Sequence, residues 1–493
     1  MILHYFLIPA APVLSLIACA ILLICLEIVT GEGKAKTLKL LVALLGPASS
    51  MLAVSVVSKT LSESTIEIVQ SDFPAWLGEF LATYQLDSFT LVLFLAISFF
   101  TLLALVYSEA FLTDFSEKSE IFSLLLFVAA GMMVLVSANS LLMVFMGLEL
   151  MSLPTYVLVG LRKNDIRASE AALKYFLYGS FATVLLVLAI AFLYGSFGTL
   201  HISQITALTR LQITSASSGS ASLSLAASMA LLAVALGFKI GLAPFHLWIP
   251  DTYQGAPTPI TGFMGSAIKL AGFGLAFKVF CSMFNSVLSQ HSDILGVLAL
   301  VTMFVGNLAA LRQSNLKRIF AYSSISHAGY LFLAIAAINP QNIQRGPLLY
   351  YLLVYGLMFL GTFGILSVIE NNRGNLDLNR LNGLGFEKPL LSACLLLFIL
   401  TAAGIPPTAG FLAKYFVFLE AASQGKMTWV VLGVMSSLIG VYYYLQIIAH
   451  LYMKAPLSAM APIQVTHKAA WVGILASAAG VIYFAMRPGL FAF

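Results

Sequence analysis

Apolar runs of about twenty residues recur from end to end of this 493-residue sequence, separated by short polar or Pro/Gly-rich stretches. Backbone in hydrocarbon must satisfy its own hydrogen bonds, so such runs dictate transmembrane α-helices. Only 9% of the residues are charged, against about 25% in a soluble domain, and the chain cannot cover itself against water. The expected fold is an all-α polytopic membrane protein with about fourteen spans, near 6–27, 39–58, 86–107, 119–137, 139–160, 168–195, 223–243, 257–285, 292–311, 318–337, 346–369, 389–418, 427–450 and 468–487. The first run has no basic lead and no small-residue cleavage site, and it reads as a retained helix.

On this count the loops alternate in charge. One side holds fifteen of the 25 Lys and Arg residues. The other side holds five: Lys59, Arg210, Arg345, Lys426 and Arg487. The remaining five, Lys174, Lys239, Lys269, Lys278 and Lys414, fall within spans. The positive-inside rule then places both termini on the non-cytoplasmic side. A net charge of +5 scattered over loops points to no nucleic-acid partner. Cys19, Cys25, Cys281 and Cys394 lack paired or metal-ligand spacing and read as small core residues. No Walker loop or dinucleotide fingerprint occurs, so redox chemistry and nucleotide hydrolysis are expected in other chains, with no cofactor or metal in this one.

A weak internal repeat is present. KYFLYGSFATVLL near 174 resembles YLLVYGLMFLGTFGILSV near 351, and aligning Tyr178 with Tyr355 gives a shift of 355 − 178 = 177 residues. That shift carries Glu149 to Ser326, beside His327, and carries Lys239 to within two residues of Lys414. Five spans separate the two tyrosines, so the copies run in opposite directions, as in the inverted repeats of transporters.

Glu149, Lys174, Lys239, Lys269 and Lys414 stand out, because a charge at the bilayer centre costs at least ~2.5–3.5 kcal/mol. Lys278 is a turn or two from its helix end and reads as a snorkelling structural residue. Helix breakers accompany two of the others. Pro244 and Pro250 follow Lys239 in GFKIGLAPFHLWIPD, and Gly404, Pro406 and Pro407 precede Lys414 in TAAGIPPTAGFLAKYF. A broken helix at membrane depth is tolerated only where it lines a cavity or is wrapped in protein.

Burial disfavours an ammonium ion by as much as about 3–5 pKa units, and a carboxylate within about 4–6 Å works the other way. A charged Glu149 beside Lys239 would hold the lysine's proton, and moving that charge away would release it. A swing of about 3 units is ~4 kcal/mol. Moving one charge against ~180 mV costs about the same. Lysine suits such a switch; arginine does not release its proton. His327 is positioned to relay protons near neutral pH, and His246, after the first break, is a weaker candidate for the same work. His4, His201, His291, His450 and His467 fall near span ends or in loops and read as solvated or interfacial.

The stretches GFKIGLAPFHLWIPDTYQGAPTPITGFMGSAIKLAGFG, AYSSISHAGY and GIPPTAGFLAKYFVF resemble the subunit N family of the proton-pumping NADH:quinone oxidoreductase, respiratory complex I, and the likeness covers nearly the whole chain. The resemblance implies fourteen helices with two inverted five-helix repeats and two discontinuous helices, spans seven and twelve. The segments would be 1–115 (helices 1–3), 116–286 (helices 4–8), 287–455 (helices 9–13) and 456–493 (helix 14). It implies a coupled Glu149–Lys239 pair, a bridging Lys269, Lys414 at the outlet end, and a further lysine at Lys174, one turn after Glu170.

It also implies a bacterial cytoplasmic (inner) membrane and antiporter-like neighbours, subunits M and K. FMN, iron–sulfur clusters and quinone would lie in partner subunits. The chain stops just after span fourteen, without the long lateral helix of subunit L, which favours subunit N. Two other readings compete: a subunit of an Mrp-type cation/proton antiporter, and a passive scaffold whose buried charges merely fix helix packing.

Overall fold

The computed structural model describes residues 2–31, 34–63, 82–112, 118–214, 219–456, 463, 464 and 467–491. Among the described residues the first six helices are α1 (Ile2–Thr30), α2 (Lys36–Glu63), α3 (Ser88–Phe111), α4 (Lys118–Ser137), α5 (Leu141–Val159) and α6 (Ile166–Phe197). Asp87 caps α3 by accepting from the Thr90 amide (2.9 Å), and Asp165 caps α6 through the Arg167 amide (2.9 Å). A short helix, α7 (Ile202–Thr214), follows before α8 (Gly219–Ile240). No span was expected there. At 13 residues α7 is too short to cross a bilayer.

After the first break come α9 (Trp248–Gly255), α10 (Thr258–Met283), α11 (Asn285–Ala310), α12 (Leu316–Ala336) and α13 (Gly346–Arg373). Two segments of α10 are π-helical, Met264–Ile268 and Lys278–Met283; Lys269 directly follows the first and Lys278 opens the second. Helices α14 (Pro389–Ala403) and α15 (Ala409–Ser423) flank the second break, followed by α16 (Met427–Tyr452) and α17 (Lys468–Met486). Among the described residues twelve helices are long and apolar enough to cross a membrane. Two shorter apolar segments, Ser224–Ile240 and Pro389–Ala403, each run into a break. The expected division at 115/116 lies outside the described residues.

The two breaks close in the same way. At the first, Gly241 has φ +81°, and the Gly241 and Leu242 amides both donate to the Gly237 carbonyl, at 2.9 and 2.8 Å. At the second, Gly404 has φ +75°, and the Gly404 and Ile405 amides donate to the Leu400 carbonyl, at 3.0 and 3.1 Å. This is the glycine-terminated pattern that satisfies the last carbonyls of a helix. The Ala243–Pro244 and Pro406–Pro407 peptides are cis.

A second pattern also recurs. Leu141 and Ile202 donate their amides to Leu200 and Asn139 (2.9 Å each), tying the start of α5 to the end of α6. Leu316 and Leu378 donate to Leu376 and Ser314 (2.7 and 2.9 Å), tying the start of α12 to the end of α13.

Helices α10, α12 and α13 form the centre; α10 and α13 are wholly buried across their apolar windows. Helices α1, α6, α16 and α17 lie at the periphery, with rows of large apolar residues facing outward. Cys281 and Cys394 are buried as small core residues, whereas Cys25 faces outward.

Glycines bring two helix pairs into backbone contact. A Cβ on Gly131 of α4 would stand 2.4 Å from the Met151 amide of α5, and one on Gly306 of α11 would stand 2.4 Å from the Ser326 amide of α12. Gly131→Ala must therefore push α5 away from α4, at a cost of about 1–3 kcal/mol. Gly195→Ala is the control, since its Cβ meets open space. The expected result is a lower thermal midpoint of the detergent-extracted protein for Gly131→Ala and an unchanged one for Gly195→Ala.

Candidate functional site: a buried lysine axis

Lys239 occupies the last turn of α8 and is buried. Its Nζ donates to Ser152 Oγ of α5 (2.7 Å) and lies 5.9 Å from the centre of the Tyr175 ring of α6. Ser152 in turn donates to the Leu148 carbonyl. Glu149, one turn before Ser152, is half-buried and accepts from Thr183 Oγ1 of α6 (2.8 Å). Glu149 and Lys239 thus share one stretch of α5 without a direct ion pair, because the lysine reaches the serine instead.

Lys269 lies in wholly buried α10. Its Nζ donates to the carbonyl of Ser324 on α12 and to Ser324 Oγ (2.6 Å), 5.4 Å from the Tyr355 ring of α13. His327, one turn after Ser324, bonds through Nδ1 to the Tyr351 hydroxyl (2.9 Å) and through Nε2 to the Tyr444 hydroxyl (3.3 Å).

Lys414 of α15 reaches back to the break. Its Nζ donates to the carbonyls of Ala402 and Ala403 (3.3 and 3.0 Å) and to Ser437 Oγ of α16 (2.9 Å), and it sits 4.9 Å from the Tyr330 ring. At the first break the Trp248 indole N–H plays the matching part, donating to the Phe238 carbonyl (3.0 Å).

Rings join these sites in one row. Tyr175 stacks on Trp248 (4.6 Å), which meets Tyr253 (6.4 Å), then Phe359 (6.1 Å) and Tyr355 (5.5 Å). Tyr355 faces His327 (5.1 Å), and His327 meets Tyr330 (6.0 Å), which stands over Lys414. Lys239, Lys269, His327 and Lys414 are therefore linked through side chains of α6, α9, α12 and α13.

Other residues singled out in the sequence lie elsewhere. Lys174 is not deeply buried: its side chain is 38% exposed and pairs with Glu170 and Asp251, each at 2.7 Å. Its place near the start of α6 lets it reach two carboxylates that an apolar-run reading does not bring together. His246 is buried in the first break, and its Nδ1 has no hydrogen-bond partner among the described residues. Lys278 does not snorkel. It is buried and donates to the carbonyls of Val136 and Ala138 (3.0 and 2.9 Å), capping the end of α4. His450 is also buried rather than interfacial, bonded to Asn382 (2.7 Å).

Sequence reasoning missed a polar group at the loop side of α12. Lys317 is buried, donates to the Ala256 carbonyl (3.0 Å) and pairs with Glu370 (3.3 Å), which also faces Arg162 (3.7 Å). These residues border a polar cavity of about 510 Å³ with Arg167, Asn315 and Asn375. A second, largely apolar cavity of about 540 Å³ lies beside Lys414, between Pro406, Phe418 and Val434. Among the described residues no group of three His, Cys, Asp or Glu is placed to hold a metal ion.

Asp251 ties the region together by accepting from both Lys174 and Arg318 (2.9 Å). An aspartate carboxyl is already ionised at both pH 6 and pH 8, well above its ordinary value of about 3.9. Each partner is about a third exposed, so Asp251→Asn is expected to cost no more than about 1 kcal/mol. The small drop in thermal midpoint is expected to be the same at pH 6 and pH 8.

Residues 138–440 match the family described as "NADH:quinone oxidoreductase/Mrp antiporter, TM". The NADH-quinone oxidoreductase subunit N of Trichlorobacter lovleyi is 35% identical over 84% of this chain and 86% of its own length. Subunit N 1 of Koribacter versatilis is 35% identical over 98% of this chain and 93% of its own. Among solved structures, a chain of respiratory complex I from Thermus thermophilus superposes with a TM-score of 0.78 at 30% identity, covering 97% of this chain and 98% of that one. A chain of the Mrp complex from Dietzia sp. shares the fold alone, with a TM-score of 0.84 at 19% identity over 98% of this chain and 95% of that one. The chain is a multi-pass membrane protein and belongs to the NADH-quinone oxidoreductase subunit N family.

Proposed function

We propose that this chain moves protons across a bacterial cytoplasmic membrane as the subunit N of an NADH:quinone oxidoreductase, driven by quinone reduction in other subunits. One observation carries the reading. Lys239, Lys269 and Lys414 are buried in a row, none with a carboxylate within ion-pair distance among the described residues, and two of them sit at helix breaks. A structural charge in an apolar interior is normally neutralised by a partner of opposite sign. Lysines held only by neutral groups are free to change protonation state.

In this reading Glu149 controls the proton on Lys239 from one turn away on α5, beside Ser152. Lys269 bridges to the second half, His327 relays between Tyr351 and Tyr444, and Lys414 releases toward the outlet end. Lys174 and His246 act at the margin, Lys174 through Asp251. The cavity at Lys317 and Glu370 offers water an approach from the side of the basic loops.

Fourteen crossings are proposed, counting the paired half-helices α8/α9 and α14/α15 as spans seven and twelve. The recurrent amide ties at α5/α6 and α12/α13 support two five-helix repeats, 116–286 and 287–455, between segments 1–115 and 456–493. The basic-loop asymmetry supports an orientation with both termini on the non-cytoplasmic side. Antiporter-like subunits M and K are the proposed neighbours, with FMN, iron–sulfur clusters and quinone in other chains and no cofactor in this one. The Mrp-type alternative is weaker, since its likeness is of fold.

Lys239→Met and Glu149→Ala, each introduced into the intact oxidoreductase, are expected to lower NADH-driven proton pumping by more than about half while the amount of assembled complex holds. An unchanged proton-to-electron ratio in both variants refutes the assignment of these residues. Full pumping and full reductase rate in Lys239→Met would favour the scaffold reading.

A further inference from the structure

Among the described residues six lysines are buried, and their partners differ in kind. Lys39 and Lys317, near the starts of α2 and α12, pair with Glu27 (2.8 Å) and Glu370 (3.3 Å). Lys278 donates to two backbone carbonyls. The other three share one arrangement of a serine hydroxyl and a tyrosine ring. These are Ser152 (2.7 Å) and Tyr175 (5.9 Å) at Lys239, Ser324 (2.6 Å) and Tyr355 (5.4 Å) at Lys269, and Ser437 (2.9 Å) and Tyr330 (4.9 Å) at Lys414. The contributors come from α5, α6, α12, α13 and α16, so the same surroundings are assembled three times from different helices.

The chemistry of that cradle differs from an ion pair. A carboxylate holds an ammonium, and breaking a buried pair is strongly unfavourable. A ring face stabilises the cation far more weakly. A hydroxyl accepts from an ammonium and, once rotated, donates to the lone pair of the neutral amine. Serine and tyrosine together therefore leave both charge states with a partner.

We propose that the pairs Ser152/Tyr175, Ser324/Tyr355 and Ser437/Tyr330 are positioning residues that keep the three axis lysines exchangeable, and that an acid placed at a cradle serine arrests transfer at that lysine. The proposal rests on the reading of these lysines as proton carriers.

The test uses the whole oxidoreductase in inverted membrane vesicles, reading protons moved per NADH oxidised and assembled complex per milligram of membrane. Ser324→Asp is expected to lose pumping about tenfold while Ser324→Thr, which keeps the hydroxyl, stays within about twofold of the parent. Tyr355→Leu is expected to fall severalfold and Tyr355→Phe to hold, because the ring over Lys269 is retained.

Should Ser324→Asp fail to assemble, Ser437→Asp takes its place, at a half-buried site. Should neither assemble, the Tyr355 pair decides. An assembled aspartate variant that pumps like the parent overturns the proposal. So does a threonine variant no better than aspartate, or equal loss in the leucine and phenylalanine variants. Lys239→Met separates the two claims: if it abolishes pumping while Ser324→Asp pumps normally, only the cradle falls.

Discussion

A helix that stops inside an apolar protein leaves its last carbonyls in need of donors and its negative pole in need of a cation. Both breaks in this chain meet that demand with the same two-amide closure on one carbonyl, and then with a nitrogen from a side chain. At α14 the nitrogen is Lys414 Nζ, on the carbonyls of Ala402 and Ala403; at α8 it is the Trp248 indole, with Lys239 inside the final turn. The breaks and the lysines occur together because each makes the other affordable in free energy. A fractured helix end supplies partial negative charge without a carboxylate that would hold the proton.

Packing then turns two isolated ends into one axis. Glycines at 131 and 306 let α4 meet α5 and α11 meet α12 at backbone contact, which fixes the positions of Ser152 and Ser324 on the inner faces. Wholly buried α10 passes between, and its lysine is received by α12 and α13 much as Lys239 is received by α5 and α6. Under the proposed repeat those receiving helices are counterparts. The bridging lysine then engages the second half with the helices that the first half uses for its own. Aromatic rings fill the distances between lysines, and the apolar interior stays close-packed around a polar thread.

The apolar runs, the two breaks and the deep placement of Lys239, Lys269 and Lys414 were legible in the residues, because bilayer thickness and the cost of a lone charge act on local sequence. Pairings across hundreds of residues were not. Lys174 read as a buried cation until the fold brought Asp251, 77 positions away, to its amine. Lys317 read as a loop charge, yet it is among the most buried lysines, since Glu370 and the Ala256 carbonyl close over it. Glu149 and Lys239 were read as a coupled pair, and only the fold reveals that Ser152, one turn from Glu149, is the lysine's direct partner.

By itself, then, the sequence determined that the chain lives in a membrane, where its helices fail, and that Lys239, Lys269 and Lys414 are stranded from water. Those properties depend on hydrocarbon thickness, backbone hydrogen bonding and the missing proline donors, all of which act within a single segment. Only the tertiary structure decided which acceptor each amine finds. A lysine's long side chain selects among groups from several helices, and hydroxyl, ring, carbonyl and carboxylate differ in effect by several times the thermal energy. That selection separates the lysines paired with acids from Lys278, held by backbone carbonyls, and from the three that meet a serine hydroxyl and a tyrosine ring.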